Sequence, residues 1–253
     1  MELRPMEQFE VKPMIEQPLF HVGHYPIYFT NQSLLMILVV LAASLFLTLA
    51  MSKRLMVPSR AQSMAELSYE FVANMINSAT GEDGLVFFPF VFTLFFFVLF
   101  CNLFGMIPGS FTVTSQIAVT FALAAVVIIT VIVTGFAKHG IGFLMLFVPK
   151  APWYIVWLLV IIEFISFLTR PISLSVRLFA NMLAGHTMLV VFGGFVVMLG
   201  GAAIYLKPLA LAPLALIVAI MLLELLVAFL QAYVFAILTC IYLNEALHLH
   251  DHH

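Results

Sequence analysis

The segment from Trp153 to Leu199 runs 47 residues with an apolar majority, yet it holds Glu163, Arg170, Arg177, Asn181 and His186. A perpendicular membrane helix uses about 20 residues to cross a ~30 Å hydrocarbon core. As a single helix this segment would extend about 70 Å. It is therefore either two spans joined by a hairpin near Arg170-Pro171 or one long helix lying far from the membrane normal. In both cases ionisable groups sit where they are rare. An arginine at a membrane helix centre costs about 2.5–3.5 kcal/mol on the insertion scale, so such groups face protein or a wet cavity and mark ion or proton pathways.

The rest of the chain fits the same solvent. Of its 253 residues 64% are hydrophobic and only 9% charged, with a mean hydropathy of +1.17. Soluble domains carry about 25% charged residues, so a soluble core is excluded and an all-α polytopic membrane protein is expected. A net charge of −2 gives nucleic acid no electrostatic footprint. No GxxxxGK[ST] segment is present to cradle a nucleotide phosphate. Cys101 and Cys240 lie in apolar runs without metal-ligand spacing and read as buried free thiols. His21 and His24, and the four histidines of the terminal HLHDHH, are weak metal candidates; no metal site and no cofactor is expected.

The whole chain reads as one membrane domain. Residues 1–31 form a polar tail broken by Pro5, Pro13, Pro18 and Pro26, with no cleavable leader pattern. A first span covers 33–51 and is followed by Lys53, Arg54 and Arg60, which places that end inside by the positive-inside rule. Residues 58–84 alternate Ala65, Leu67, Phe71, Val72, Met75 and Ile76 with Glu66, Glu70, Asn74 and Asn77, the pattern of an amphipathic helix on the inner surface. Its polar face is acidic, so contact with a neighbouring protein suits it better than lipid charge. Residues 85–136 form a hairpin of two spans that turns at Pro108-Gly109, with Lys138 and His139 back on the inner side. Asn102, at the outer end of the first of these spans, either lines a polar pathway or bonds another helix. After 153–199, residues 209–247 form a last helix, again too long to stand upright, carrying Glu224 and Gln231 on one face. The expected architecture is five crossing helices, the last two long and strongly tilted, plus one surface helix.

Helical spacing sorts the polar groups. Ser173, Arg177 and Asn181 follow at i, i+4 and i+8. Arg170 and Glu163, seven and fourteen residues before Arg177, fall close to the same face. His186, nine residues after, points about 180° away. Arg170 reads as a cation reaching headgroups or carbonyls at a helix end, and Glu163 as either pathway lining or its ion-pair partner. His186 and Glu224 are either a proton relay or a static brace between helices.

The run Arg177-Leu-Phe-Ala-Asn181-Met-Leu-Ala-Gly-His186, after Arg170-Pro171-Ile-Ser-Leu-Ser, resembles the signature of subunit a of the F-type ATP synthase membrane sector. Glu224 and Gln231 in ELLVAFLQAYVF and the earlier Cys101-Asn102-Leu-Phe-Gly-Met-Ile-Pro108-Gly support it, and the likeness covers roughly Pro89 to the end. The pairing of His186 with Glu224 is similar to the mitochondrial and alphaproteobacterial form. The resemblance implies that the 153–199 segment is one tilted helix. It implies that Arg177 is the essential cation facing a ring of c subunits, between two offset half-channels of a proton-conducting stator. Glu224, His186, Asn181, Gln231, Glu163, Asn102 and Ser173 would form the proton pathway, with Gln231 near Arg177. Partners would be the c ring, the peripheral-stalk b subunits, the remaining synthase and the bilayer, in a bacterial inner membrane rather than a mitochondrial one. The chain itself would not be catalytic. The competing reading is a self-contained secondary ion transporter; the paired, similar halves typical of such proteins are not visible in the sequence.

Overall fold

The computed structural model describes residues 10–14, 20–22, 25–52, 58–107, 111–147, 153–201 and 207–248. Six long helices carry the architecture: α1 Asn31–Ala50, α2 Arg60–Thr80, α3 Phe88–Gly105, α4 Ile117–His139, α5 Trp153–Gly200 and α6 Leu211–Leu247. Five of them, all but α2, are long and apolar enough to cross a membrane. The expected all-α polytopic fold is thus present. Lys53, Arg54, Pro108, Gly109, His24 and residues 249–253 of the histidine tail lie outside the described residues.

Before α1, where the sequence suggested only a Pro-interrupted tail, a small antiparallel ladder pairs β1 Phe20–Val22 with β2 Tyr25–Ile27, and an isolated bridge joins Pro13 to Thr30. Asn31 secures the entry to α1: its Oδ1 accepts from the backbone N–H of Lys12 and of Gln32.

Helix α2 begins at the Ser59 cap, whose side chain accepts from the N–H of Gln62. Its buried face is Gln62, Ala65, Val72, Met75, Ile76 and Thr80. The apolar stripe expected from sequence is broader than this. Leu67 is 65% exposed, because two positions past Ala65 is about 200° round the helix. Phe71 also points outward, although its ring meets those of Phe95 and Tyr233.

Helix α5 is one helix of 48 residues with Pro171 inside it. The two-span hairpin near Arg170-Pro171 is therefore not formed; the segment is the single helix the resemblance implied, running through Gly193-Gly194 to Gly200. At about 72 Å it exceeds twice the thickness of a hydrocarbon core.

The chain packs as two compact units, each drawn from three stretches. The first comprises Met1–Leu45, Phe97–Gln116 and Leu178–Ala232. Its interior holds Val39, Cys101, Val113, Leu178, Met182, Ala228 and Ala232, and α1 turns Ile37, Leu41 and Leu45 outward. Small residues on α6 let neighbouring backbone come close, which is how helices associate when lipid is as apolar as leucine. The second unit comprises Phe46–Phe96, Ile117–Arg177 and Tyr233–His253. Ile76, Phe95, Val127, Phe143, Leu174, Phe235 and Cys240 form its interior. At one end of this unit Lys138 meets Asp83 at 3.0 Å, His139 Nε2 lies 3.2 Å from the Leu247 carbonyl, and His248 lies 3.8 Å from Asp83. These contacts bring the approach to α3, the end of α4 and the end of α6 together.

Candidate functional site

In the first unit a polar cluster is closed inside apolar helices. His186 comes from α5, Glu224 from α6, Asn102 from α3, and Thr112, Thr114 and Ser115 from the connection before α4. All six are buried, with Asn102 and Thr114 at 0% exposure. His186 Nε2 lies 3.5 Å from Glu224 Oε1. Asn102 Nδ2 donates to the carbonyl of Ala228, one turn beyond Glu224, at 3.2 Å. Asn102 therefore ties α3 to α6, which answers half of the question its sequence position raised. Its Oδ1 and both oxygens of Glu224 find no hydrogen-bond donor among the described residues.

Two glycines make room for this cluster. A Cβ at Gly185 would lie 2.7 Å from Glu224 Oε1. At Gly105 it would lie 2.8 Å from the Thr112 methyl. The carboxyl of Glu224 thus rests directly on the α5 backbone beside His186. Buried polar atoms without partners are uncommon in folded proteins, and each one calls for a reason. Here the pair is charge-balanced in two ways, either both neutral or imidazolium beside carboxylate. Moving one proton between Oε1 and Nε2 interconverts the two.

The second unit holds a different kind of cluster. Arg170 donates to the carboxylate of Glu245 and lies 4.0 Å from Glu163. Its guanidinium carbon sits 5.8 Å from the Phe167 ring and 5.1 Å from the Tyr242 ring. Arg170 is therefore not a helix-end cation seeking headgroups. It is in mid-helix, stacked between two rings and paired across to α6, where arginine's planar fork suits it. Glu163 is its second, longer-range partner. Nearby, Ser175 and Thr120 share a buried hydroxyl contact of 3.0 Å between α5 and α4.

Arg177, with Ser173, lies on the outward surface of this unit. Among the described residues no carboxylate comes within ion-pair distance of it. Asn181, one turn on, is also exposed, and Gln231 is half-buried on α6. Of the residues singled out in the sequence, the structure brings His186 and Glu224 together, ties Asn102 to the Ala228 carbonyl one turn from Glu224, and pairs Glu163 with Arg170. Ser173, Arg177 and Asn181 face out from α5. No group of three or more His, Cys, Asp or Glu able to hold a metal occurs among the described residues.

Glu245 and Thr112 are among the participants not picked out from sequence. Glu245 was within reach: Glu224 and Gln231 are seven apart, and the same step continued twice arrives at Glu245. Thr112, a neutral hydroxyl in a short connection, carried no such periodic signal.

A protein from Chelativorans sp. called ATP synthase subunit a is 58% identical over 245 residues, covering 96% of this chain and 97% of its own. Proteins of the same name from Pelagibacter ubique and Hyphomonas neptunium are 53% and 55% identical over 251 residues, covering 99% of this chain and 100% and 98% of theirs. The family model described as ATP synthase A chain matches residues 33–244, a range that takes in Asn102, Arg170, Arg177, His186 and Glu224 and stops one residue short of Glu245; the chain belongs to that family, as a multi-pass membrane subunit of an ATP synthase.

Proposed function

We propose that the chain is the proton-conducting stator subunit of a rotary ATP synthase, in a bacterial inner membrane, working against a ring of c subunits and held by peripheral-stalk b subunits. The observation that carries this reading is Arg177: an outward guanidinium, amid exposed Ile172 and Val176, with no carboxylate partner among the described residues. A charge so placed in a membrane helix demands a partner. A carboxyl presented by a passing ring subunit supplies one. Facing lipid, that carboxyl must be protonated, since a bare carboxylate there is too costly. Beside Arg177 the carboxylate is stabilised and the proton leaves. Arginine suits the role because it keeps its charge where a buried lysine would lose it. The fixed charge also repels a proton attempting to pass directly between the two half-channels.

The flanking groups then divide the path. Along α5, His186 lies about 13 Å beyond Arg177 and Glu163 about 21 Å before it, at 1.5 Å per residue. His186, Glu224 and Asn102 form the outer half-channel, with His186 and Glu224 passing the proton. Glu163 belongs to the inner half-channel, and Ser173, Asn181 and Gln231 line the approach to the arginine. The long α5 lies tilted, so that it can follow the ring. Each proton is driven by about 2.3 kcal/mol per 100 mV of membrane potential.

The test is membrane vesicles carrying the assembled complex, with ATP-driven acidification and passive proton permeability measured side by side. Arg177→Ala abolishes coupled pumping, and Arg177→Lys fails as well. Normal coupled pumping by assembled Arg177→Ala removes the reading.

A further inference from the structure

The imidazole of His186 has a second neighbour besides Glu224. Thr112 Oγ1 lies 3.2 Å from the same Nε2, nearer than the 3.5 Å to Glu224 Oε1. The hydroxyl also faces the Gly105 carbonyl at 3.5 Å. Thr112 is 2% exposed, and its methyl fills the space that Gly105 leaves open.

We propose that Thr112 is a positioning residue of the His186–Glu224 pair, a hydroxyl rotor that keeps Nε2 hydrogen-bonded in both protonation states. This rests on the relay reading given above.

A hydroxyl offers one proton and accepts at its oxygen, and it rotates to suit its partners. When Nε2 carries a proton, that N–H donates to Thr112 Oγ1 and the threonine turns its own proton to the Gly105 carbonyl. When Nε2 is bare, the hydroxyl turns back and donates to it. The transferred proton leaves the Glu224 carboxyl O–H and bonds to Nε2, leaving carboxylate beside imidazolium, and the reverse step restores both neutral groups. No other bond changes. Without the hydroxyl, the nearer of the two groups facing Nε2 is replaced by a methyl, leaving Glu224 at 3.5 Å, beyond good hydrogen-bond distance. The backbone fixes the geometry. Ser115 Oγ donates to the Thr112 carbonyl at 2.7 Å, and the Ser115 N–H donates to the same carbonyl at 3.3 Å, so the turn presents the side chain inward.

Valine is nearly isosteric with threonine and lacks only the hydroxyl. In the assembled complex Thr112→Val should lower ATP-driven acidification about fivefold, the effect of one hydrogen bond on a rate. Thr112→Ser should stay close to the wild-type rate. A merely structural role adds its loss in any background, and a double-mutant cycle separates it from a positioning role. In a His186→Ala background there is nothing left to position, so adding Thr112→Val should cost nothing further. If Val blocks assembly, Thr112→Ala asks for no new space and enters the same cycle. The proposal is overturned if Thr112→Val pumps normally, if Ser fails as badly as Val, or if the two losses simply multiply. When Thr112→Val pumps normally while His186→Ala is slow, only Thr112's role falls. When His186→Ala itself pumps normally, the relay falls and this inference with it.

Discussion

Gly185→Ala isolates the contact between Glu224 and α5. The added Cβ would meet Glu224 Oε1 at 2.7 Å, Cδ at 3.1 Å and Cγ at 3.5 Å. To regain a comfortable carbon–oxygen distance of about 3.3 Å, the carboxyl oxygen must retreat by roughly 0.6 Å. Glu224 is 4% exposed, so there is little free space to retreat into. Overpacking of that kind costs about 1–3 kcal/mol. If the strain is expressed in the displaced His186–Glu224 geometry, proton flux falls between about fivefold and a hundredfold. The backbone effect has the opposite sign, since alanine favours helix over glycine by about 1 kcal/mol. Assembly should therefore be preserved while flux is lost, and the two are separable by measuring subunit content and ATP-driven acidification in the same vesicles. Gly193→Ala on the same helix is the control, because a Cβ there meets nothing within 4 Å. It should leave flux unchanged. Wild-type pumping by assembled Gly185→Ala would refute the argument that the carboxyl's position against α5 matters.

Exchanging the pair, His186→Glu with Glu224→His, should recover more flux than either single alanine change, measured as ATP-driven acidification; an exchange no better than the worse single mutant counts against a relay. Arg170→Ala leaves Glu163 and Glu245 without their cation and should destabilise the subunit by about 1.5–3 kcal/mol, seen as reduced subunit content. The complexes that do assemble should retain measurable pumping, and adding Glu245→Gln should restore content.

How much of this was legible in advance depends on what kind of signal each residue gives. Hydropathy and length marked the five spans because a membrane helix must satisfy its backbone within itself, which leaves long apolar runs in the sequence. The choice between one helix and two for residues 153–199 was not legible from length and charge; it came from the family resemblance, and the single helix bears it out. Proline often interrupts helices, and the same Arg170-Pro171 pair is compatible with a hairpin or with a continuous helix. The two arginines of the motif illustrate a second limit. Arg170 and Arg177 are seven apart and near one face, so periodicity treats them alike. What separates them is across the helix, in Glu245, Tyr242 and Phe167 around one of them. Glu245 is 75 residues further along the chain, and local spacing carries no record of that contact. Asn102 meeting the Ala228 carbonyl and Thr112 meeting His186 are pairings of the same long-range kind.

The polar groups buried by these helices differ in how completely they are satisfied, and that difference separates bracing from transfer. Arg170 is held by a carboxylate, a second carboxylate further off, and two ring faces. A fully partnered network in a low-dielectric setting is rigid, because any rearrangement breaks a charge-assisted bond. Glu224 has the opposite surroundings: one imidazole at 3.5 Å, and no donor among the described residues for either oxygen. Such a carboxyl is not braced, which is the setting the proposed relay calls for. A structural ion pair would be expected to close to a charge-assisted distance of about 2.7–2.9 Å. At 3.5 Å, with a hydroxyl nearer the same nitrogen, the pair is not closed into a structural ion pair, and the proposed transfer requires the two groups to approach to hydrogen-bond distance.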